Sequence, residues 1–468
     1  MLNYFNFKPF GGKVLITNDF GRYRFLSQDA FKQLIAGALL PSDSQYQELK
    51  DKFFLYDGDI EVFLQEGMPL LQDGKKYLFA GTSLFILVVT TWCNASCVYC
   101  QAKDTESTPG FMSKETATKA VDIALSSPVD ALTIEFQGGE PLGNFEVIQH
   151  TVLYAEERAK ALNKHVAFSL VSNLSLLNDE IATFINEHAI ALSTSIDGDK
   201  ELHDHNRPFR NGIGSFDAAA SGIQRARKAG IALSAIQTTT RQSLSRAKPI
   251  IDTYLDFGMA SIFIRPLTPL GMAHVQWESI GYSPEMFLAF YQECITYLLE
   301  VNKGGQFISE GHASIMLTKI LFGEGLNYME LRSPCGASIG QMAFYYDGAV
   351  YTCDEGRMLA EMGNNSFRLG TVEDAYDSLI TSPACKAACA ASVLESIPEC
   401  CDCVYQPYCG QCPVINLALD GDIFPTNSQN YRCKIYKGML DILFGILQKN
   451  DQQELQILQN WAQGGTKT

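Results

Sequence analysis

The stretch TTWCNASCVYCQA, residues 90–102, sets three cysteines at the spacing C-x3-C-x2-C: Cys93, Cys97 and Cys100. It follows directly on LFILVVTT (84–91), an apolar run that reads as a buried strand. Three thiols are an odd number for disulfide pairing and one short of a closed tetrahedral metal site. The chain has 14 cysteines: these three, Cys294 alone, and ten between Cys335 and Cys433. The first 92 residues have none.

The bulk numbers narrow the class. At 468 residues the chain is long enough for two or three domains, and 46% hydrophobic content with 19% charge is an ordinary globular mix. A formal net charge of −16 argues against general binding to nucleic acid or to an anionic membrane, because phosphates are repelled. The start, MLNYFNFKPFGGK, has no charged leader with a long apolar stretch behind it, so no signal peptide is expected. No apolar run approaches the roughly 18–20 residues of a membrane span. A cytoplasmic protein is the expectation, and in a reducing compartment so many cysteines point to metal binding or catalysis rather than disulfides.

Outward from the cysteine stretch, strand and helix patterns alternate. After 84–91, apolar runs recur at 131–139, 165–173, 189–197, 231–240 and 261–269, with helical patterns between them. Six buried-type strands alternating with helices predict a parallel sheet with right-handed crossovers, either a partial (β/α) barrel or an open doubly wound sheet. Polar motifs fall after the strands: the cysteines, then GGEP, SNLS and SIDG. Both architectures bind ligands at that edge. Before this region, 14–27 reads as two short strands about a turn at 18–21, followed by helices, a small α+β unit. After it come a helix at 283–302, a cysteine-rich region short on regular pattern, and a C-terminal helix pair.

A [4Fe–4S] cluster held by three thiolates leaves one iron free for a substrate or cofactor, which accounts for a site one ligand short. Closed zinc sites favour paired C-x2-C units, which the x3 spacing fits poorly. The plain alternative is three cysteines packed as small apolar residues. The motif, with Tyr99 before the last cysteine, resembles the radical S-adenosylmethionine (SAM) enzymes. EFQGGEP (135–141) is similar to their Gly-Gly-Glu-Pro segment, in which the backbone and the glutamate meet the SAM amino group. STSIDG (193–198) with LHDHNRPFRNGIGSF (202–216) is similar to the segment placing the SAM ribose and carboxylate. The resemblance implies a SAM-binding [4Fe–4S] cluster on Cys93, Cys97 and Cys100. It implies cofactor contacts from Tyr99, Gly138, Gly139, Glu140, Ser195, Asp197 and Arg207. Asn173 and Arg265 either contact SAM or finish their strands.

The C-terminal pattern Cys335-x12-Gly348-x4-Cys353, then Cys400-x2-Cys403-x5-Cys409, Cys412 and Cys433 resembles the SPASM domain, which carries auxiliary [4Fe–4S] clusters. The resemblance implies an outer cluster on Cys400, Cys403, Cys409 and Cys433 and an inner one on Cys335, Cys353 and Cys412. Two departures stand out. The spacing after Cys409 is x2 where the family has x3. The position six after Cys335, an inner ligand in sulfatase-maturing enzymes, is Gln341. The inner cluster then has an open iron, takes a ligand from Cys385, Cys389 or Cys401, or is absent. Two C-x2-C pairs also read as zinc knuckles. The chain as a whole resembles the maturases of His-Xaa-Ser repeat peptide systems over most of 80–430.

The fold expected is α/β: a partial (β/α)6 radical SAM barrel (79–310), an N-terminal α+β domain resembling winged-helix peptide-recognition modules (1–78), a cysteine-rich SPASM domain (311–438) and C-terminal helices (439–468). The activity implied is hydrogen-atom abstraction from a ribosomally made precursor peptide, closing an oxidative crosslink, with Asp354 matching the general base of relatives. Partners implied are the precursor peptide, an electron donor such as ferredoxin or flavodoxin, and a second maturase. A peptide epimerase is the alternative within this chemistry, with Cys294, Cys385, Cys389 and Cys401 as candidate hydrogen donors. A non-catalytic zinc scaffold is the alternative outside it.

Overall fold

The structure is a computed structural model describing residues 1–101, 108–424 and 430–464. Three strands form an antiparallel N-terminal sheet: β1 (Asn6–Phe10), β2 (Lys13–Thr17) and β3 (Tyr23–Leu26), in the order β1-β2-β3. The pair about the 18–21 turn agrees with the sequence pattern, while β1 was not legible. Its NFKPF carries a proline and no clean alternation, and it forms because β2 offers an edge. The helix Gln28–Ile35 follows, its first turn capped by Ser27, whose hydroxyl accepts from Ala30 N.

The large sheet has ten strands. β4 (Leu84–Thr90), β5 (Ala131–Gly138), β6 (His165–Val171), β7 (Ala191–Ser195), β8 (Leu233–Thr238) and β9 (Ser261–Arg265) pair in parallel and in chain order, as the alternating pattern predicts. A two-residue β10 (Ser309–Glu310) adds beyond β9. On the other side, β11 (Gln341–Phe344) pairs in parallel with β4, and β12 (Ala349–Tyr351) and β13 (Arg368–Thr371) continue antiparallel. The aromatic stretch AFYYDGAVY is thus a hairpin turning at Asp347 and Gly348, and Gly348 has φ +91°. The cysteine-rich region is thereby continuous with the central sheet through β4, the strand that ends in the cysteine loop.

Alternation along the strands sets the faces. In β5, Leu132, Ile134 and Phe136 are buried against the helices, while Thr133, Glu135 and Gln137 point the other way and are half-buried. Ser169 on β6 and Ser195 on β7 are likewise half-buried between buried neighbours, and Arg265 is half-buried after the buried Ile264 at the end of β9. One face of the sheet therefore packs a continuous apolar layer, and the other is a polar interior. The helix Pro284–Lys303 buries Phe287, Tyr291, Cys294 and Leu298 on one stripe, so Cys294 is a core residue. The helices Tyr431–Lys449 and Gln452–Gly464 form the expected terminal pair. No helix among the described residues is long and apolar enough to cross a membrane.

Candidate functional site

The C-terminal ends of β4 to β8 and the loops after them converge on the cysteine loop. Its backbone is clamped from two sides. Ser96 N donates to Pro208 O (2.7 Å), Val98 N to Asn206 O (2.9 Å), and Arg210 N to Asn94 O (2.9 Å). On the other side Met272 N donates to Cys100 O (2.9 Å). Gly271 makes this possible: at φ +56°, a Cβ there would come within 2.7 Å of the Cys100 carbonyl. The three thiols thus hang from one fixed loop. Ala95 N donates to Cys93 Sγ (3.4 Å), and the charges of Cys93 and Cys100 are felt at Cys97. Burial pushes the Cys97 thiol up to about 12, with Arg207 opposing.

Gly138 and Gly139 serve this loop. A Cβ on Gly138 would meet Thr90 O at 2.3 Å, and one on Gly139 would meet Trp92 O at the same distance. Gly139 N donates to Thr90 O (2.8 Å) and Glu140 N to Trp92 O (2.7 Å). The close backbone approach expected toward a cofactor is made toward the cysteine loop. Glu140 also differs from expectation. It is wholly buried, its Oε1 accepting from Ser172 Oγ (2.7 Å) and Leu142 N (3.1 Å), its Oε2 from Asn173 N (2.8 Å). Burial outweighs these bonds and pushes its carboxyl up to about 7. The side chain braces the loop after β6. Asn173 in turn donates to Asn94 Oδ1 (2.9 Å), tying that loop to the cysteine loop.

Tyr99, Asp197 and Arg207 form one network. Asp197 is fully buried; Oδ2 accepts from Tyr99 OH (2.6 Å) and Asn206 Nδ2 (3.0 Å), and Oδ1 from Arg207 Nε (3.0 Å). Its acceptor capacity is used within the chain, so it orients Tyr99 and Arg207 rather than standing open itself. The Arg207 guanidinium lies 5.1 Å from the Tyr99 ring centroid. Burial works against its charge, but Asp197 and Tyr99 outweigh that and hold it firmly protonated. His203 supports the network in neutral form. Asp197 N donates to Nδ1 (3.4 Å), so Nε2 carries the proton toward Ser215 Oγ (3.1 Å), and burial lowers the ring to about 4. Ser195 lies half-buried at the end of β7.

Across the polar interior, Arg265 does not stand alone at the end of β9. Its Nη2 donates to Glu330 Oε1 (2.6 Å), while Oε2 accepts from Arg432 Nη2 (2.7 Å) and Tyr436 OH (2.6 Å). Burial opposes the Glu330 charge, but Arg432 and Arg265 outweigh it and hold the carboxyl well below its usual range. Asp354 is also paired: the buried Arg357 donates from Nε to Oδ1 (3.1 Å) and from Nη1 to Glu361 (2.9 Å). Sequence reasoning passed over Glu330, Arg432, Glu355 and Glu135. Glu355 is held protonated more readily by burial and by Glu330, and its charge faces Cys335, Cys353 and Cys412. Glu135, bonded to Ser169 (3.0 Å), looks onto Asp354 and Arg265 from β5. The alternation in IEFQGG was the available signal for Glu135; Glu330 and Arg432 have none, since only folding brings residues 102 apart into contact.

The C-terminal cysteines gather into two sets. Cys335, Cys353 and Cys412 share one apolar cluster and feel one another's charge. Cys400, Cys403, Cys409 and Cys433 form the second set. The N-terminal sheet packs on the second set's loop: Asn6 Nδ2 donates to Cys401 O (3.0 Å) and Cys403 O (3.1 Å), and Thr17 Oγ1 to Val404 O (2.7 Å). All 14 thiols are free of disulfides. Among the described residues, no three His, Cys, Asp or Glu side chains close to the distance of a single ion. A cubane cluster spreads its thiolates wider than one ion does, and all-sulfur donor sets suit iron–sulfur chemistry.

Residues 87–240, from within β4 to the end of β8, match the family model described as the radical SAM superfamily. The chain carries a radical SAM domain. Its wider fold is similar to that of anSMEcpe with bound AdoMet and Kp18Cys peptide, on which it superposes at TM-score 0.67 and 21% identity, covering 81% of this chain and 99% of that one. SuiB of Streptococcus suis bound to precursor peptide SuiA superposes at TM-score 0.55 and 15% identity, over 90% and 96%. In sequence, an uncharacterized protein of Methanothermobacter thermautotrophicus is 33% identical over 38% of this chain and 64% of its own length. The chain thus spans just under two thirds of the length of that relative. A cysteine-type anaerobic sulfatase-maturating enzyme of Clostridium perfringens is 24% identical over 62% of this chain and 78% of its own. SAM and iron–sulfur clusters are the cofactors of this class, and the clamped three-thiol loop and the two cysteine sets fit them.

Proposed function

We propose that this protein is a radical SAM peptide maturase that oxidises a ribosomally made precursor peptide, closing a crosslink within it. The observation that carries the reading is the shared sheet. β4 ends in the three-cysteine loop, and its neighbour β11 leads through β12 to Cys353 and Asp354. One polar interior is thereby flanked by a cofactor loop at one side and by thiol sets suited to accept electrons at the other. Peptide substrates are supported by the solved neighbours, whose structures hold a Kp18Cys peptide and the SuiA precursor.

In this reading Cys93, Cys97 and Cys100 hold a cluster with an iron left open for SAM. Bound there, the two supply a radical able to take a hydrogen atom from unactivated carbon. The chain's own residues do the rest. Tyr99, Arg207 and Ser195 face the cofactor, and a guanidinium suits its carboxylate. Asp197, Glu140 and Asn173 position the loops, with Gly138 and Gly139 as the contact that lets them close on the cysteines. Arg265, fixed by Glu330, borders the substrate. Asp354, fixed by Arg357, takes the proton that must leave when the substrate is oxidised. Cys335, Cys353, Cys412 and Cys400, Cys403, Cys409, Cys433 hold auxiliary clusters that accept electrons, and a ferredoxin- or flavodoxin-type donor supplies the front cluster. The division 1–78, 79–310, 311–438 and 439–468 belongs to this reading, with 1–78 as the peptide-recognition part; residues 465–468 lie outside the described residues. β3 is an edge strand of its sheet, the kind of edge to which an extended peptide adds. The second maturase implied by the resemblance is likewise a proposal.

The test is the exact mass of a His- and Ser-containing precursor co-expressed anaerobically with the protein. Loss of two hydrogens, absent when Cys93, Cys97 and Cys100 are changed to Ala, is the expected result. An unchanged mass with deuterium uptake in heavy water would replace crosslinking by epimerisation. Zinc in place of iron, with no SAM cleavage, would end the enzyme reading.

A further inference from the structure

The inner set has three cysteines, with Gln341 where relatives supply a fourth. The fold brings one more thiol to it. The helix Pro383–Ala390 packs Ala388 into the same apolar cluster as Cys335, Cys353 and Cys412. The turn that ends this helix is tied to Cys335 directly. Cys335 N donates to Ser392 Oγ (3.0 Å), and that hydroxyl donates to Ala388 O (2.7 Å) and Cys389 O (3.2 Å). Cys389 is close enough to Cys335 to feel its charge. Cys385, one turn earlier on the same helix, lies beside Cys389 and Ser338. Cys401 belongs elsewhere: its carbonyl is held by Asn6 under the N-terminal sheet.

A second observation points to the same spot. Arg332 is fully buried. Its Nε donates to Pro334 O (3.1 Å), its Nη1 is held by Asn327, and its guanidinium lies 4.0 Å from the Tyr77 ring centroid. Its Nη2 is without a hydrogen-bond partner among the described residues, and its charge faces Cys335 and Cys389. A buried cationic N–H left without an acceptor is costly. An anionic, sulfur-rich group at this position would offset that cost through charge-assisted hydrogen bonding.

We propose that Cys389 is the fourth protein ligand of the inner cluster, taking the place vacated at Gln341, with Arg332 directed at its sulfur face. This rests on the reading of Cys335, Cys353 and Cys412 as a cluster site. The consequence is functional: an inner cluster closed by four thiolates carries electrons and offers no iron to the substrate.

The test uses the full chain with Cys93, Cys97 and Cys100 changed to Ala, which removes the front cluster. This parent is loaded with iron and sulfide anaerobically, reduced, and examined by electron paramagnetic resonance with and without cyanide, a small ligand for open iron. Cyanide should leave the parent spectrum unchanged and shift that of the added Cys389→Ala variant, while Cys385→Ala behaves as the parent. Loss of one cluster's worth of iron from Cys389→Ala alone gives the same support. Cys389→Ser guards against misfolding: at full iron content it should show a displaced spectrum. A cyanide shift in the parent overturns the proposal, as does a Cys389→Ala spectrum indistinguishable from the parent, or an effect confined to Cys385→Ala. Iron in the parent with no response at Cys389 removes only this ligand. Zinc in the parent removes the cluster reading of the region itself.

Discussion

At the edge of the sheet, Cys93, Cys97 and Cys100 sit on a loop held through its backbone, by segment 206–210 on one side and Met272 on the other, with two glycines closing beneath it. In the C-terminal region, Cys335, Cys353 and Cys412 are instead held by side-chain packing, inside an apolar cluster with Leu270, Leu359 and Ile415. Backbone clamping fixes where the three thiols sit without calling on their side chains. Apolar packing buries Cys335, Cys353 and Cys412 among aliphatic neighbours from several segments. The two regions also spend charge differently. Around the front loop, Asp197 and Arg207 form one pair that orients Tyr99. Between the interior and the inner set, three cations and several carboxylates interlock, with Glu330 bridging Arg265 and Arg432.

The largest expected effect separates the regions outright. Cys97→Ala should abolish SAM cleavage, whereas Cys403→Ala should retain cleavage while losing peptide modification. Deoxyadenosine and peptide mass, measured on the same samples, check this. Equal loss of cleavage in both variants would show that the regions do not divide the work.

Next comes the buried ion pair on the C-terminal side. Arg357→Met strands Asp354 and Glu361 and should destabilise by about 3–5 kcal/mol, read by denaturant unfolding. A smaller change than Asp197→Asn, which breaks the front pair, would reverse the contrast drawn above.

The buried histidines give the third. His203 and His312 are both lowered to about 4 by burial, from an ordinary value of 6.5. The unfolded chain takes up protons first, so stability is full above pH 6.5 and falls as the pH drops toward 4. Each contributes up to about 3 kcal/mol over that window. His203→Asn should flatten the fall in melting temperature between pH 6.5 and 4; an unchanged slope would sink this account of the front network. Glu140, raised to about 7 by burial, acts in the opposite sense, its share of stability declining from pH 4.5 upward through 7.

The smallest effect tests the clamp. Gly139→Ala forces a methyl against Trp92 O and should cost about 1–3 kcal/mol. SAM cleavage should suffer and C-terminal iron content should not.

The alternating strand pattern and the motif at each strand end were legible because each is local: a period, a spacing, a turn residue. β1 was not, because its pairing comes from β2 rather than from its own residues. Glu140 and Asp197 were legible as polar groups at a strand end, but their work as internal braces was not, because the donors that occupy them come from other loops.

The sequence by itself determined the fold class and the cofactor class, since the strand period and the order of motifs are chemical facts written along the chain. The tertiary structure alone decided which charged groups stand open and which are already paired. It also decided that β11 joins β4 and that Cys389 lies beside Cys335. Those depend on contacts between residues far apart in sequence, where burial and hydrogen bonding, rather than spacing, choose the partner.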